Sequence, residues 1–220
     1  LCRGFSESGR RLEQELEILA TLGPALVTTE GYSAAEVGET YGRALELSKR
    51  FDTPNIFALL SGAWVFHIVR GDLEKSRQFG LDFLRMAKRD PSPGLLLAGN
   101  FIVGSTLYHL GQLESSLEHM NTAFGSESGP AESVLALFAG PDPGVFCRAY
   151  LAHLAWHRGG DGRADAHAAE AIAAAERIRH PFSRAIALDY AAMLHVFRGE
   201  SRAALEPGLA RSPRIHARRA

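Results

Sequence analysis

Cysteine is almost missing from this chain, with only Cys2 and Cys147 among 220 residues. Their separation fits no zinc, haem or redox spacing. A disulfide scaffold is therefore excluded, and the pair reads as reduced thiols of a reducing, cytoplasmic compartment. Lysine is nearly as scarce: Lys49, Lys75 and Lys88 stand against 21 arginines. With alanine abundant, that skew reads as GC-rich coding rather than as arginine-specific phosphate chemistry. An excess of either charge is also lacking. The formal net charge is −1, which argues against nucleic-acid binding, since that needs a basic face to displace counterions. Long apolar runs are missing too. Leu95–Ala98 and Ile102–Val103 are cut by Gly99, Asn100 and Gly104, so no segment reads as a bilayer span. No signal peptide is legible, and Leu1 reads as the cut edge of a longer protein. The last twenty residues hold Arg202, Arg211, Arg214, Arg218 and Arg219 against Glu206. Residues 206–220 read as a basic, frayed tail, weighed against contact with nucleic acid or membrane.

What is present is apolar material, 46% of the chain, arranged with a period. A helix-like apolar stretch, then Gly, then one or two polar residues, then a second helix-like stretch recurs around Gly31, Gly71, Gly111, Gly159 and Gly199. The intervals are 40, 40, 48 and 40 residues. The long one contains Gly125, Gly129-Pro130 and Gly140-Pro141-Asp142-Pro143-Gly144, which reads as an inserted loop. Ahead of each glycine, Phe57–Val69, Leu95–His109, Val145–His157 and Ser183–Phe197 carry apolar residues at three- and four-residue steps, as amphipathic helices do. Behind it, Asp72–Lys88, Glu114–Phe124, Arg163–Ile178 and the start of 200–208 do the same. Between units sit Asp52-Thr53-Pro54, Asp90-Pro91-Ser92-Pro93 and His180-Pro181-Phe182-Ser183. Proline cannot continue a helix, whereas Ser or Asp can cap the next one. The glycine inside each pair supplies the left-handed backbone on which one helix stops and the chain folds back. No stretch alternates as a strand would, so the fold class is all-α.

A pair of about 40 residues cannot bury both its apolar faces, so each pair completes its core on the next. The expected architecture is an α-solenoid of about five helix-turn-helix repeats in a right-handed superhelix. Its boundaries are near 8–50, 54–90, 93–126, 142–179 and 182–208, within a single domain over 8–205. The small residues five positions after the glycines, Ser76, Ser116, Ala164 and Ala204, mark where paired helices cross closely. The first unit departs from this, with one extra residue in its turn and Glu36 or Val37 at the small position.

This pattern is similar to the tetratricopeptide repeat (TPR), in which a first-helix aromatic, a turn glycine, a small residue five later and an Ala twelve later define the unit. Here Gly71 is followed by Ser76 and Phe83, Gly111 by Ser116 and Ala123, and Gly159 by Ala164 and Ala171. More specifically, Leu22-Gly23-Pro24-Ala25-Leu26, Gly31–Val37, Tyr41–Leu47, Asp142-Pro143-Gly144-Val145 and His180-Pro181-Phe182-Ser183 resemble one known region. It is the C-terminal repeat region of bacterial proteins that join a class III adenylate/guanylate cyclase domain to an AAA/STAND-type ATPase. That resemblance implies a non-catalytic module for protein–protein contact or regulation within a multidomain signalling protein. Its partner would be a protein or peptide, either the intramolecular cyclase and ATPase domains or another signalling protein. No cofactor is implied. The alternative is the small-ligand sensor arm of a STAND-type ATPase or transcription activator.

Several constellations hold residue types that can carry chemistry. His153 and His157 share one helix face at i, i+4, with Asp161, Asp165 and His167 nearby. The Glu that metalloproteases place after the first His is missing, so the histidines read as packed or groove-lining rather than as metal ligands. Gly159-Gly160-Asp161-Gly162 has no preceding strand and no following Lys-Ser/Thr, so it reads as a turn rather than a phosphate cradle. Cys147 reads as a small buried residue rather than a nucleophile. The repeat register carries Phe101, Ser105, Tyr108 and His109, then Phe146, Tyr150, His153, Trp156 and His157, then Asp189, Tyr190 and Met193 toward the concave side. Two readings compete for them. One is a binding groove offering apolar area with polar tips; the other is completion of the core between repeats. No catalytic or metal residue is expected.

Overall fold

Each of the five periodic glycines adopts a positive φ, between +73° and +89°, a region that costs a side-chain-bearing residue about 1 kcal/mol or more. In four turns the surrounding bonds form a Schellman motif. After the second such glycine's helix, for example, Gly71 N–H donates to the Ile68 carbonyl and Asp72 N–H to the His67 carbonyl. The same pair of bonds recurs at Gly111, Gly159 and Gly199. The first turn differs: Gly31 N–H donates to the Val27 carbonyl, the single-bond left-handed cap. This alternative cap explains the extra residue there. It shifts the small position to Val37, which is buried while Glu36 is exposed, and the later alanine position to Ala44, also buried.

The computed structural model describes residues 7–51, 53–89, 92–125 and 142–200. Among them every regular element is an α-helix: α1 Glu7–Glu30, α2 Ala35–Ser48, α3 Ile56–Val69, α4 Leu73–Ala87, α5 Pro93–His109, α6 Leu113–Gly125, α7 Pro143–His157, α8 Asp161–Ile178 and α9 Pro181–Phe197. The inserted loop between residues 126 and 141, Ala204, and the basic tail of 206–220 lie outside the described residues. Helix starts follow local chemistry. Asp72, Ser92 and Asp142 accept bonds from the backbone N–H three residues on, and Pro93, Pro143 and Pro181 stand in the first turn, where their missing donor costs nothing. The α9 cap is His180, whose Nδ1 accepts from Ser183 N–H, a role not read from its sequence.

The chain divides into two compact units, Leu1–Ala139 and Gly140–Ala220. In the first, α1 to α6 pack each on the next, with lesser contacts from α1 to α3 and from α3 to α5. Glycine and aromatic residues interlock across its hairpins. The Tyr41 ring of α2 lies between Gly23 of α1 and Gly62 of α3, so that a Cβ on either glycine would collide with it. Phe66 of α3 fills the space over Gly38 of α2 in the same way. The small positions act as expected. Ser76 and Ser116 are fully buried, and Ser116 Oγ donates to the Gly104 carbonyl of α5 at 2.7 Å. In the second unit α7, α8 and α9 pack mutually. Val145 and Ala149 of α7 cluster with Ala171, Ala174 and Ala175 of α8 and Ala187 of α9. Alanine on the facing sides brings these backbones close at little side-chain entropy cost.

Candidate binding surface

The first helix of each hairpin carries the candidate residues, and the structure divides them between interior and surface. In the first unit, Phe101 is only 2% exposed and meets Trp64 edge-on at 5.7 Å. Ser105 is also fully buried. Residues three and four apart share a helix face, so burial here changes with position along the helix: Phe101 and Ser105 lie within α5, Tyr108 and His109 in its last turn. Beyond Phe101 on α5, Tyr108 is half-buried and His109 exposed, their rings edge to face at 5.4 Å. Burial raises the pKa of the Tyr108 phenol, which stays protonated and presents its O–H.

In the second unit, Tyr150 and His153 also belong to the interior, at 4% and 1% exposure. His153 stacks on Tyr190 with centroids 4.9 Å apart, and its Nε2 lies 2.8 Å from the Tyr190 carbonyl. Since a carbonyl only accepts, Nε2 carries the proton. Burial holds the His153 pKa below the usual histidine value, so the ring is the neutral Nε2–H form. Phe146, Tyr150 and Tyr190 complete this cluster, with Tyr190 edge-on to both at 5.6 Å and 5.2 Å. Toward solvent lie Trp156, half-buried, with His157 and Asp189 exposed. The Arg198 guanidinium sits over the Trp156 ring at 5.5 Å and donates from Nη1 to Asp165 Oδ1 at 2.6 Å. Asp189 needs no buried partner, since water reaches it.

The structure thus gathers Tyr150, His153 and Tyr190 into one packed cluster and leaves Trp156, His157 and Asp189 of the same unit partly or fully exposed, while Phe101 serves the core of the other unit. The two-histidine spacing serves packing. His153 is committed to Tyr190, and the His157 ring lies 5.6 Å from Phe197. His167 Nδ1 lies 3.5 Å from a Glu170 carboxylate oxygen. Among the described residues no group of three or more His, Cys, Asp or Glu side chains is placed to hold a metal ion. Cys147 is fully buried, out of reach of a substrate. No described helix is long and apolar enough to cross a membrane.

Two polar arrangements leave little trace in the sequence. Thr106 Oγ1 accepts from Trp64 Nε1 at 2.9 Å, lies 3.3 Å from Ser76 Oγ, and donates to the Ile102 carbonyl. Three helices thereby meet at one buried hydroxyl. Its only sequence trace is Ser105-Thr106 inside an otherwise apolar helix. At the start of α9, Ser183 Oγ accepts from Asp142 N–H at 2.8 Å and lies 2.9 Å from His180 Nδ1. This ties the N-terminus of α7 to that of α9.

Helical hairpins spaced by 40 or 48 residues, each folded back at a left-handed glycine and packed through small residues, define an all-α solenoid of TPR-like repeats. Two crystal structures of Podosopora anserina putative kinesin light chain nearly identical TPR-like repeats share this fold. One superposes with a TM-score of 0.57 at 14% identity, over 92% of this chain and 93% of that one. The other gives 0.56 at 14% identity, over 87% and 90%. In sequence, the chain is 24% identical over 201 residues to a protein of Rhizobium meliloti (strain 1021) named Uncharacterized protein R02095. It matches over 91% of its own length but spans only 20% of that relative. No family model matches the chain.

Proposed function

We propose that this chain is a non-catalytic interaction module that binds a protein or peptide through the open stripe of its first helices. Supporting this reading is the rim at the C-terminal end of α7. There Trp156 and His157 offer aromatic area with polar edges, Arg198 backs the indole, and Asp189 adds an exposed acid one helix away. Aromatic side chains supply contact area at low entropy cost, and a fixed acid sets orientation and charge preference. Tyr108 and His109 form a second, smaller surface in the first unit. The packed Tyr150–His153–Tyr190 cluster acts beneath the rim as a positioning floor rather than as contact surface. The relative that the chain matches is about five times as long, and we read the chain as one module of a multidomain protein. On the sequence resemblance, that protein is a cytoplasmic bacterial signalling protein of the cyclase–ATPase type, regulated through the module.

The test is selection of a displayed peptide library on the chain, followed by calorimetric titration of the enriched peptides. Binding should weaken at least about tenfold, or about 1.4 kcal/mol, in Trp156→Ala/Asp189→Asn, while the helical spectrum is unchanged. Peptide affinity indifferent to both substitutions would refute the rim. A saturable thermal shift by a small metabolite, with no peptide enriched, would move the assignment to the sensor reading. Cyclase or ATPase turnover by this chain alone would overturn the non-catalytic one.

A further inference from the structure

An arginine stands immediately before the turn glycine at Arg70, Arg158 and Arg198, where a cation suits the negative end of a helix. Two of these side chains also reach back to the preceding hairpin of their own unit. In the first unit, the Arg70 guanidinium sits over Phe66 at 5.3 Å and donates from Nη1 to the Ser33 carbonyl, just ahead of α2, at 3.0 Å. In the second unit, the Arg198 guanidinium sits over Trp156 at 5.5 Å and donates from Nη1 to Asp165 of α8 at 2.6 Å. One periodic position thus makes the same reach twice, from the end of a first helix to the N-terminal part of the second helix one hairpin earlier.

The two differ in the ring they cover. Phe66 shares a helix with Arg70, whereas Trp156 belongs to α7 and Arg198 closes α9, its backbone N–H donating to the Leu194 carbonyl. Arg198 therefore joins three helices: its backbone ends α9, its charge goes to α8, and its flat face meets the indole at the end of α7. The Arg198 side chain is 11% exposed and that of Asp165 61%. A guanidinium so far withdrawn from water is held where a carboxylate and an aromatic face replace its hydration. The charge-assisted bond at Nη1 sets where it lies against the ring.

We infer that Asp165 and Arg198 are positioning residues of the Trp156 surface: the α8 carboxylate holds the guanidinium, and the guanidinium holds the indole in the orientation a peptide meets. Asp165 stands on the second helix of its hairpin, off the first-helix stripe, so it acts on the peptide through Arg198 and Trp156. This rests on the reading of Trp156 as a contact residue. The order of the indole itself does not, and is measured with no peptide present.

The indole N–H resonances of the 220-residue chain test this. The chain holds two tryptophans, Trp64 and Trp156, and Trp156→Phe assigns the second resonance by its loss. In Asp165→Asn the Trp156 resonance should move and broaden while that of Trp64 stays in place, with helical content unchanged because the altered side chain is exposed. Arg198→Lys, which keeps the charge but not the flat face, should do the same. Asp165→Glu, which keeps the carboxylate, should restore the wild-type position. On enriched peptides, Asp165→Asn should weaken binding about threefold to fivefold and have no further effect once Trp156 is replaced by Ala. A Trp156 resonance indifferent to Asp165→Asn and Arg198→Lys would overturn the inference. So would displacement by Asp165→Glu as large as that by Asn, or equal weakening with and without the indole. An empty peptide selection with the Trp156 resonance displaced would refute the binding reading and leave the positioning standing.

Discussion

The ring of Tyr41, held between two glycines, gives the sharpest energetic test of interlocking hairpins. A Cβ added at Gly62 collides with the Tyr41 ring, and the ring has no retreat, because a Cβ on Gly23 behind it would lie only 2.7 Å from Tyr41 Cζ. Tyr41 is 5% exposed. Overpacking of this kind costs about 1–3 kcal/mol, whereas Gly to Ala within a helix gains about 1 kcal/mol from propensity. Gly62→Ala should therefore destabilise the first unit by up to about 2 kcal/mol net. In a Tyr41→Ala background the obstruction is gone and only the propensity gain remains, so the same substitution should stabilise by up to about 1 kcal/mol. The coupling between the two sites, about 1–3 kcal/mol, is read from urea unfolding of the four chains followed by far-UV circular dichroism. If Gly62→Ala has the same sign and size in both backgrounds, the ring does not sit between these glycines and the interlocking account fails.

Other expectations follow from backbone and charge. Arg179 is the one described residue other than glycine with a positive φ, at 53°, so Arg179→Gly should stabilise by about 1 kcal/mol, seen as a raised Tm. Burial lowers the His153 pKa below its ordinary value, and the unfolded chain then takes up the proton first as pH falls. Stability is full above about pH 6.5 and declines on acidification through that value toward the folded pKa. His153→Gln should flatten that decline in a Tm-against-pH series; an unchanged slope would contradict the assignment. His67 and His119 are shifted down by burial as well, so part of the slope remains.

The repeat was legible because turn chemistry is local. A glycine that must be left-handed, followed by a small buried residue, leaves the same trace at Gly71, Gly111 and Gly159, with Ser76, Ser116 and Ala164 behind them. Caps at Asp72, Ser92 and Asp142 were equally local. What the sequence did not separate was surface from interior on the first helices. Phe101, Tyr150 and His153 are chemically indistinguishable from Tyr108, Trp156 and His157 in the string. Which of them is covered depends on the neighbouring hairpin, tens of residues away. The buried hydroxyl of Thr106 was hidden for the same reason: Trp64 and Ser76, the groups that explain it, stand 42 and 30 residues earlier.

That neighbouring hairpins share one interior is tested most directly by hydrogen exchange on Thr106→Val. The substitution takes the acceptor from Trp64 Nε1–H and a partner from Ser76, a loss of about 1–3 kcal/mol where donors stay buried. The account predicts faster amide exchange in α3 and α4 as well as in α5 and α6. Acceleration confined to α5 and α6, with α3 and α4 exchanging as in the wild type, would contradict it.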